Sequence, residues 1–171
     1  MSPDPRRRQF LRSCAGIPPQ ASRPPWALAE GGFLRSCDRC AACVQACPEG
    51  ILLRGHDGLP QLAFQWGECT FCGECAAACP TGTLRRTGAP WMAAPRIEPG
   101  CLALNGVICR VCAEHCDQGA IRFRLVAGGH ALPELEPAAC NGCGACVAPC
   151  PVQAMSVQVE PVPQRSEEAE S

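Results

Sequence analysis

Cysteine falls at positions 37, 40, 43 and 47, again at 69, 72, 75 and 79, and again at 140, 143, 146 and 150, and each run is followed at once by a proline. Each run reads C-x2-C-x2-C-x3-C-P. Three thiols at intervals of three let a short loop curl around one 4Fe-4S cubane and bind three of its irons, while the fourth is carried past it to a neighbouring cubane. A further group, Cys101, Cys109, Cys112 and Cys116, opens with a gap of seven residues and has Asp117 where the others have proline. The leading cysteines at 37, 69, 101 and 140 are separated by 32, 32 and 39 residues, which marks an internal repeat.

If each fourth cysteine serves the neighbouring site, the runs work in pairs. The expected ligand sets are Cys37, Cys40, Cys43 and Cys79 for a first cluster, and Cys69, Cys72, Cys75 and Cys47 for a second. Cys101, Cys109, Cys112 and Cys150 make a third, and Cys140, Cys143, Cys146 and Cys116 a fourth. Four 4Fe-4S clusters are therefore expected. Two alternatives stay open: the first run paired with the fourth and the second with the third, and a 3Fe-4S cluster at the third site with Cys101 unbound. Zinc also favours C-x2-C, but its sites join two such pairs across a longer loop, unlike four-cysteine runs closed by proline. Cys14 stands outside every run and reads as a free thiol, His115 as a solvated neighbour of Cys116, and His56 and His130 as turn residues.

Composition agrees that metal must do structural work. The 171 residues include seventeen Cys, eighteen Pro and seventeen Gly, but only five Phe, three Trp and no Tyr or Lys. Very small units seldom gain more than about 3 to 5 kcal/mol from apolar burial, so ligation has to supply the remainder. Between runs, Ile51–Leu53 and Leu59–Phe64 flank a glycine turn, and Ile121, Phe123 and Leu125 alternate with Arg122 and Arg124 before Gly128, Gly129 and a second short stretch over 131–135. Both read as β-hairpins. The expected layout is an Arg- and Pro-rich mobile arm over 1–33, one two-cluster unit over 34–95, a second over 96–160, and an acidic mobile tail over 161–171.

Disulfides would need an oxidising compartment. Arg7, Arg8, Gln9, Phe10, Leu11 and Arg12 look like a twin-arginine export signal, yet Cys14, Pro18, Pro19, Arg23, Pro24 and Pro25 follow where an apolar stretch is needed. The reading is a cytoplasmic chain without a membrane span. Four oxidised clusters take the formal net charge from −1 to about −9, so the body should attract basic partners. Nucleic-acid binding is not expected, since the arm with Arg6, Arg7, Arg8, Arg12 and Arg23 lacks a basic body and stacking aromatics behind it. Nor is an enzyme, because no nucleophile–base pair, paired carboxylates or phosphate loop stands out.

Beyond the cysteines, Arg23-Pro24-Pro25-Trp26, Phe33-Leu34 before Cys37-Asp38-Arg39-Cys40, and Cys69-Thr70-Phe71-Cys72 form a specific pattern. It continues in Cys101-Leu102-Ala103, Cys109-Arg110-Val111-Cys112 and Cys140-Asn141-Gly142-Cys143-Gly144-Ala145-Cys146. From about residue 5 to 158 the chain resembles the NapF family, the ferredoxin-type accessory proteins of periplasmic nitrate reductase systems. The resemblance implies an α+β fold of two tandem bacterial-ferredoxin-like units built from short hairpins and single-turn helices. It also implies a cytoplasmic protein that binds the molybdenum-containing catalytic subunit, NapA, before export and helps insert or reduce its 4Fe-4S cluster. The competing expectation is an electron-transfer wire to a molybdoenzyme.

Overall fold

The computed structural model describes residues 22–162, and within it each cysteine run is a tight loop that passes into a single turn of helix or hydrogen-bonded turn. In the first run the turn is α2, Ala42–Gln45; in the second it is α3, Glu74–Ala77; in the third it is α4, Val111–Glu114. The fourth stays a hydrogen-bonded turn, with Val147 N–H donating to Gly144 O and Cys150 N–H to Val147 O. Alanine between the ligands permits the turn, and the following proline in three of the runs withholds the N–H that would extend it.

Short hairpins connect the runs. β1 (Leu52–Arg54) pairs antiparallel with β2 (Pro60–Leu62), bringing Leu52 opposite Leu62 between the first and second runs. β4 (Ile121–Leu125) pairs with β5 (Ala131–Leu135) between the third and fourth, Ile121 opposite Leu135. Both hairpins lie where the alternation and glycine turns place them. A third pairing has no counterpart in the sequence reading: β3 (Met92–Ile97) lies antiparallel to β6 (Met155–Glu160), from Met92 opposite Glu160 to Ile97 opposite Met155. This ladder brackets the third and fourth runs, as the bridge between Ala27 and Leu84 brackets the first and second. The α+β character expected of the chain is observed.

One departure concerns the arm. Residues 22–33, assigned by sequence to a mobile arm, pack against the first unit. Helix α1 (Glu30–Ser36) buries Phe33 completely, and Pro24 and Trp26 are buried with it. Arg23, only 7% exposed, donates from Nε and Nη2 to the two carboxylate oxygens of Glu30 at 3.0 and 2.8 Å and lies over the Phe33 ring. A charge can be buried there because the Glu30 carboxylate accepts both bonds in a forked geometry. Cys14, Arg6, Arg7, Arg8, Arg12 and the tail over 163–171 lie outside the described residues.

The core is continuous: Phe33, Ile51, Leu59, Phe64, Trp91, Ile121, Met155 and Val157 join one buried cluster that includes several cysteines. No described helix is long and apolar enough to cross a membrane.

Candidate iron-sulfur centres

Two hollows sit at equivalent places in the two halves. One is walled by Cys47, Cys69, Cys72 and Cys75, with Phe71 and Ile51 among its other walls. The other is walled by Cys116, Cys140, Cys143 and Cys146, with Ile121 and Val157. In each, three thiols come from one run and the fourth from the preceding run. Elsewhere Cys79, from the second run, lies close enough to Cys43 for its charge to bear on that thiol, as does Cys37. Cys101 and Cys109 bear on Cys112 in the same way. Cys150 accepts a hydrogen bond at Sγ from the Ala154 N–H, at 3.2 Å. Helices α2 and α3 pack together, which draws the first run against the second.

The chemistry of this donor set fits a polycationic inorganic core. Burial, then the neighbouring Cys69 and Cys72, push the Cys75 thiol up to about 12. Burial, then Cys143 and Cys140, do the same to Cys146, also about 12. Burial, followed by Cys79 and Cys37, raises Cys43 to about 11, and burial, then Cys101, raises Cys112 to about 11. So many thiols cannot ionise together unless a positive body sits among them, and a bound metal core inverts this logic by holding the thiolates charged. Cys79 already leans toward the thiolate: burial opposes it, but the Leu84 backbone N–H, the Thr81 hydroxyl and further backbone donors hold it below the ordinary range. Among the described residues no three Cys, His or acidic side chains close on a single-ion position; the thiols ring a hollow instead. His115 lies on the rim of the second hollow and its Nδ1 donates to Val111 O at 2.9 Å, a tie to its own helical turn. His56 and His130 lie in the β1–β2 and β4–β5 turn regions.

Several residues that shape these sites carry no thiol. Trp91 donates from Nε1 to Asn141 O at 2.9 Å and meets Phe64 and Phe71 edge-on, with ring centroids 6.3 and 5.7 Å away. Gly142 and Gly144, both at φ +81°, leave no room for a side chain: a Cβ on the first would overlap Trp91 and on the second Phe64. Opposite the second run, Arg86 lies over Trp26 and donates to the carbonyls of Cys72 and Phe71. The sequence held one signal for the tryptophans. Pro25-Trp26 and Pro90-Trp91 stand at matching places ahead of the two pairs of runs.

Paired hairpin-and-loop units, one closed by a single β-bridge and the other by its own terminal strands, around sets of crowded thiols, define an iron-sulfur protein of ferredoxin type. The profile of the 4Fe-4S dicluster domain matches twice, over residues 36–83 and 107–154. The chain is 42% identical over 162 residues to the ferredoxin-type protein NapF of Haemophilus influenzae, covering 88% of this chain and 92% of that protein. It is 42% identical over 138 residues to NapF of Escherichia coli K12, covering 80% and 84%. It is 31% identical over 175 residues to the methylamine utilization ferredoxin-type protein MauM of Paracoccus denitrificans, covering 89% and 76%. The chain belongs to the NapF family of ferredoxin-type proteins.

Proposed function

We propose that this protein holds four 4Fe-4S clusters and uses them in the cytoplasm to help mature the catalytic subunit of a periplasmic nitrate reductase, NapA, by inserting or reducing that subunit's own cluster before export. The observation that carries the reading is likeness to NapF at 42% identity across 92% of a relative's length, so that the irregular third run falls inside the aligned span. The proposed ligand sets are Cys37, Cys40, Cys43 and Cys79; Cys69, Cys72, Cys75 and Cys47; Cys101, Cys109, Cys112 and Cys150; and Cys140, Cys143, Cys146 and Cys116. Lining of the two hollows by the second and fourth of these sets supports the pairing of consecutive runs. The proposed units span 34–95 and 96–160, with residues 22–33 packed on the first and Met92–Pro95, the start of β3, paired with the closing strand of the second.

When bound, each cluster supplies a one-electron couple whose potential is set by surrounding charge, hydrogen bonds and burial. The chain's part is to hold thiolates in place, shield them with Ile51, Phe71, Ile121 and Val157, and present the remaining edge to a partner. The test is capture of the nitrate reductase catalytic subunit by the cluster-loaded chain, followed by incubation with a cluster-free form of that subunit. Capture with gain of a cluster, or of its reduced signal, in the subunit is the expected result. Failure of capture by the full chain overturns the partner, and capture without gain or reduction overturns the task.

A further inference from the structure

The two halves meet through the cysteine runs themselves. The Cys69 N–H, at the head of the second run, donates to Cys143 O, in the middle of the fourth, at 2.7 Å. Residues flanking this bond hold it: Phe64 and Phe71 from the first half close on Trp91, whose indole is tied to Asn141, and Gly142 and Gly144 bring the fourth run's backbone against those rings. Among the described residues no backbone hydrogen bond outside the regular elements joins the first run to the third. Within each half the runs are also close, since Cys47 of the first run walls the hollow of the second and Cys116 of the third walls that of the fourth.

We propose that the four clusters stand in one row in the order first, second, fourth, third, joined at its middle by the peptide contact of Cys69 with Cys143. Spatial order therefore departs from chain order, and the two halves form one redox unit rather than two separate pairs. The proposal rests on the four-cluster ligand sets given above and on no partner. The outer members, at Cys37–Cys43 and Cys101–Cys112, are the ends that exchange electrons with other molecules. Cys40 is exposed at one end, and Val107 and Ile108 are exposed beside Cys109 at the other; of the inner ligands only Cys72 is exposed, and Arg86 donates to its carbonyl. An electron given to an end site by a one-electron reductant such as dithionite reduces that site. Its passage inward reoxidises that site and reduces the next, with no bond made or broken.

The experiment is electron paramagnetic resonance on the full chain, purified anaerobically and reduced with dithionite. Iron is counted first: about sixteen per chain is expected for four clusters, and far less overturns the four-cluster reading rather than the order of the row. In the variant C37A/C40A/C101A/C109A, which removes ligands from both outer sites, about eight iron should remain, and the broad signal of interacting spins should persist because the second and fourth sites adjoin. Two sharp, independent signals from that variant overturn the row. Gly144→Ala provides the converse, since its Cβ meets Phe64 at the ring's attachment and must push the contact open. With iron complete, the coupling between halves should weaken, and a spectrum identical to the parent overturns the proposal. Should both variants lose further iron, the fully reduced unaltered chain decides: four mutually coupled spins support the row, and two independently coupled pairs overturn it.

Discussion

The first and second units carry nearly the same cysteine frame, yet they are closed by different means. From Ala27 to Leu84 the chain is closed by a single bridge, and the work falls to buried side chains: Phe33, Trp26 and the Arg23–Glu30 pair. From Met92 to Glu160 it is closed by a six-residue antiparallel ladder, and the equivalent helix is absent among the described residues. The loops differ in the same sense. Arg86 caps the carbonyls of the second run, whereas Trp91 and Phe64 pack on the fourth. A frame that metal holds together tolerates either a side-chain clasp or a backbone clasp.

The largest effect should erase the comparison altogether. Removal of iron and sulfide is expected to unfold both units, because structural metal ligation in small domains contributes roughly 10 to 16 kcal/mol by analogy with zinc. Circular dichroism and limited proteolysis check this, and a compact, protease-resistant metal-free chain would refute it. Next, Phe33→Ala should destabilise the first unit by about 3 to 5 kcal/mol and leave the second nearly unchanged. The readout is denaturant-driven loss of cluster absorbance, expected to split into two transitions in the variant.

Glu30→Gln should cost the first unit about 1 to 3 kcal/mol, because the buried Arg23 guanidinium then loses its charged acceptor. Burial alone would make that guanidinium easier to deprotonate, but its hydrogen bonds to Glu30 outweigh this and raise its pKa. Arg86→Gln tests the difference between loop caps: a cation leaves the neighbourhood of Cys72, so one midpoint potential should fall while those of the second unit hold, as potentiometry would report. The smallest effect belongs to Arg124→Ala, which breaks an exposed pair with Glu134 across the β4–β5 hairpin. It should cost at most about 1 kcal/mol, and a larger shift in the second unit's denaturation midpoint would show the hairpin to be more critical than its exposure implies.

What the sequence revealed follows the range of the interactions involved. The β4–β5 hairpin was legible because Ile121, Phe123 and Leu125 alternate with arginines before paired glycines, a pattern written within fifteen residues. The thiols that wall the two hollows were legible for the same reason, since their short intervals within a run are local. The β3–β6 ladder was not. Met92-Ala93-Ala94-Pro95-Arg96-Ile97 has no clean alternation, carries a proline, and has its partner strand on the far side of both cysteine runs in the sequence. Residues 22–33 were misread because Arg and Pro suggest an arm until Glu30 and Phe33 are seen to receive Arg23. The contact of Cys69 with Cys143 leaves no mark on either run alone, and only the crowding at Gly142 and Gly144, visible in three dimensions, points to it.

The closing strands carry one more consequence. Ala27 faces Leu84, Met92 faces Glu160, and Trp26 N–H donates to Pro90 O, so the chain enters and leaves each unit at neighbouring points. A building block whose doorway serves for both arrival and departure can be copied within a gene and spliced beside its parent without stretching or threading the polypeptide. The same geometry that seals a unit thus makes it stackable, and lengthening such a protein by two further cofactors requires only another pass through the same door.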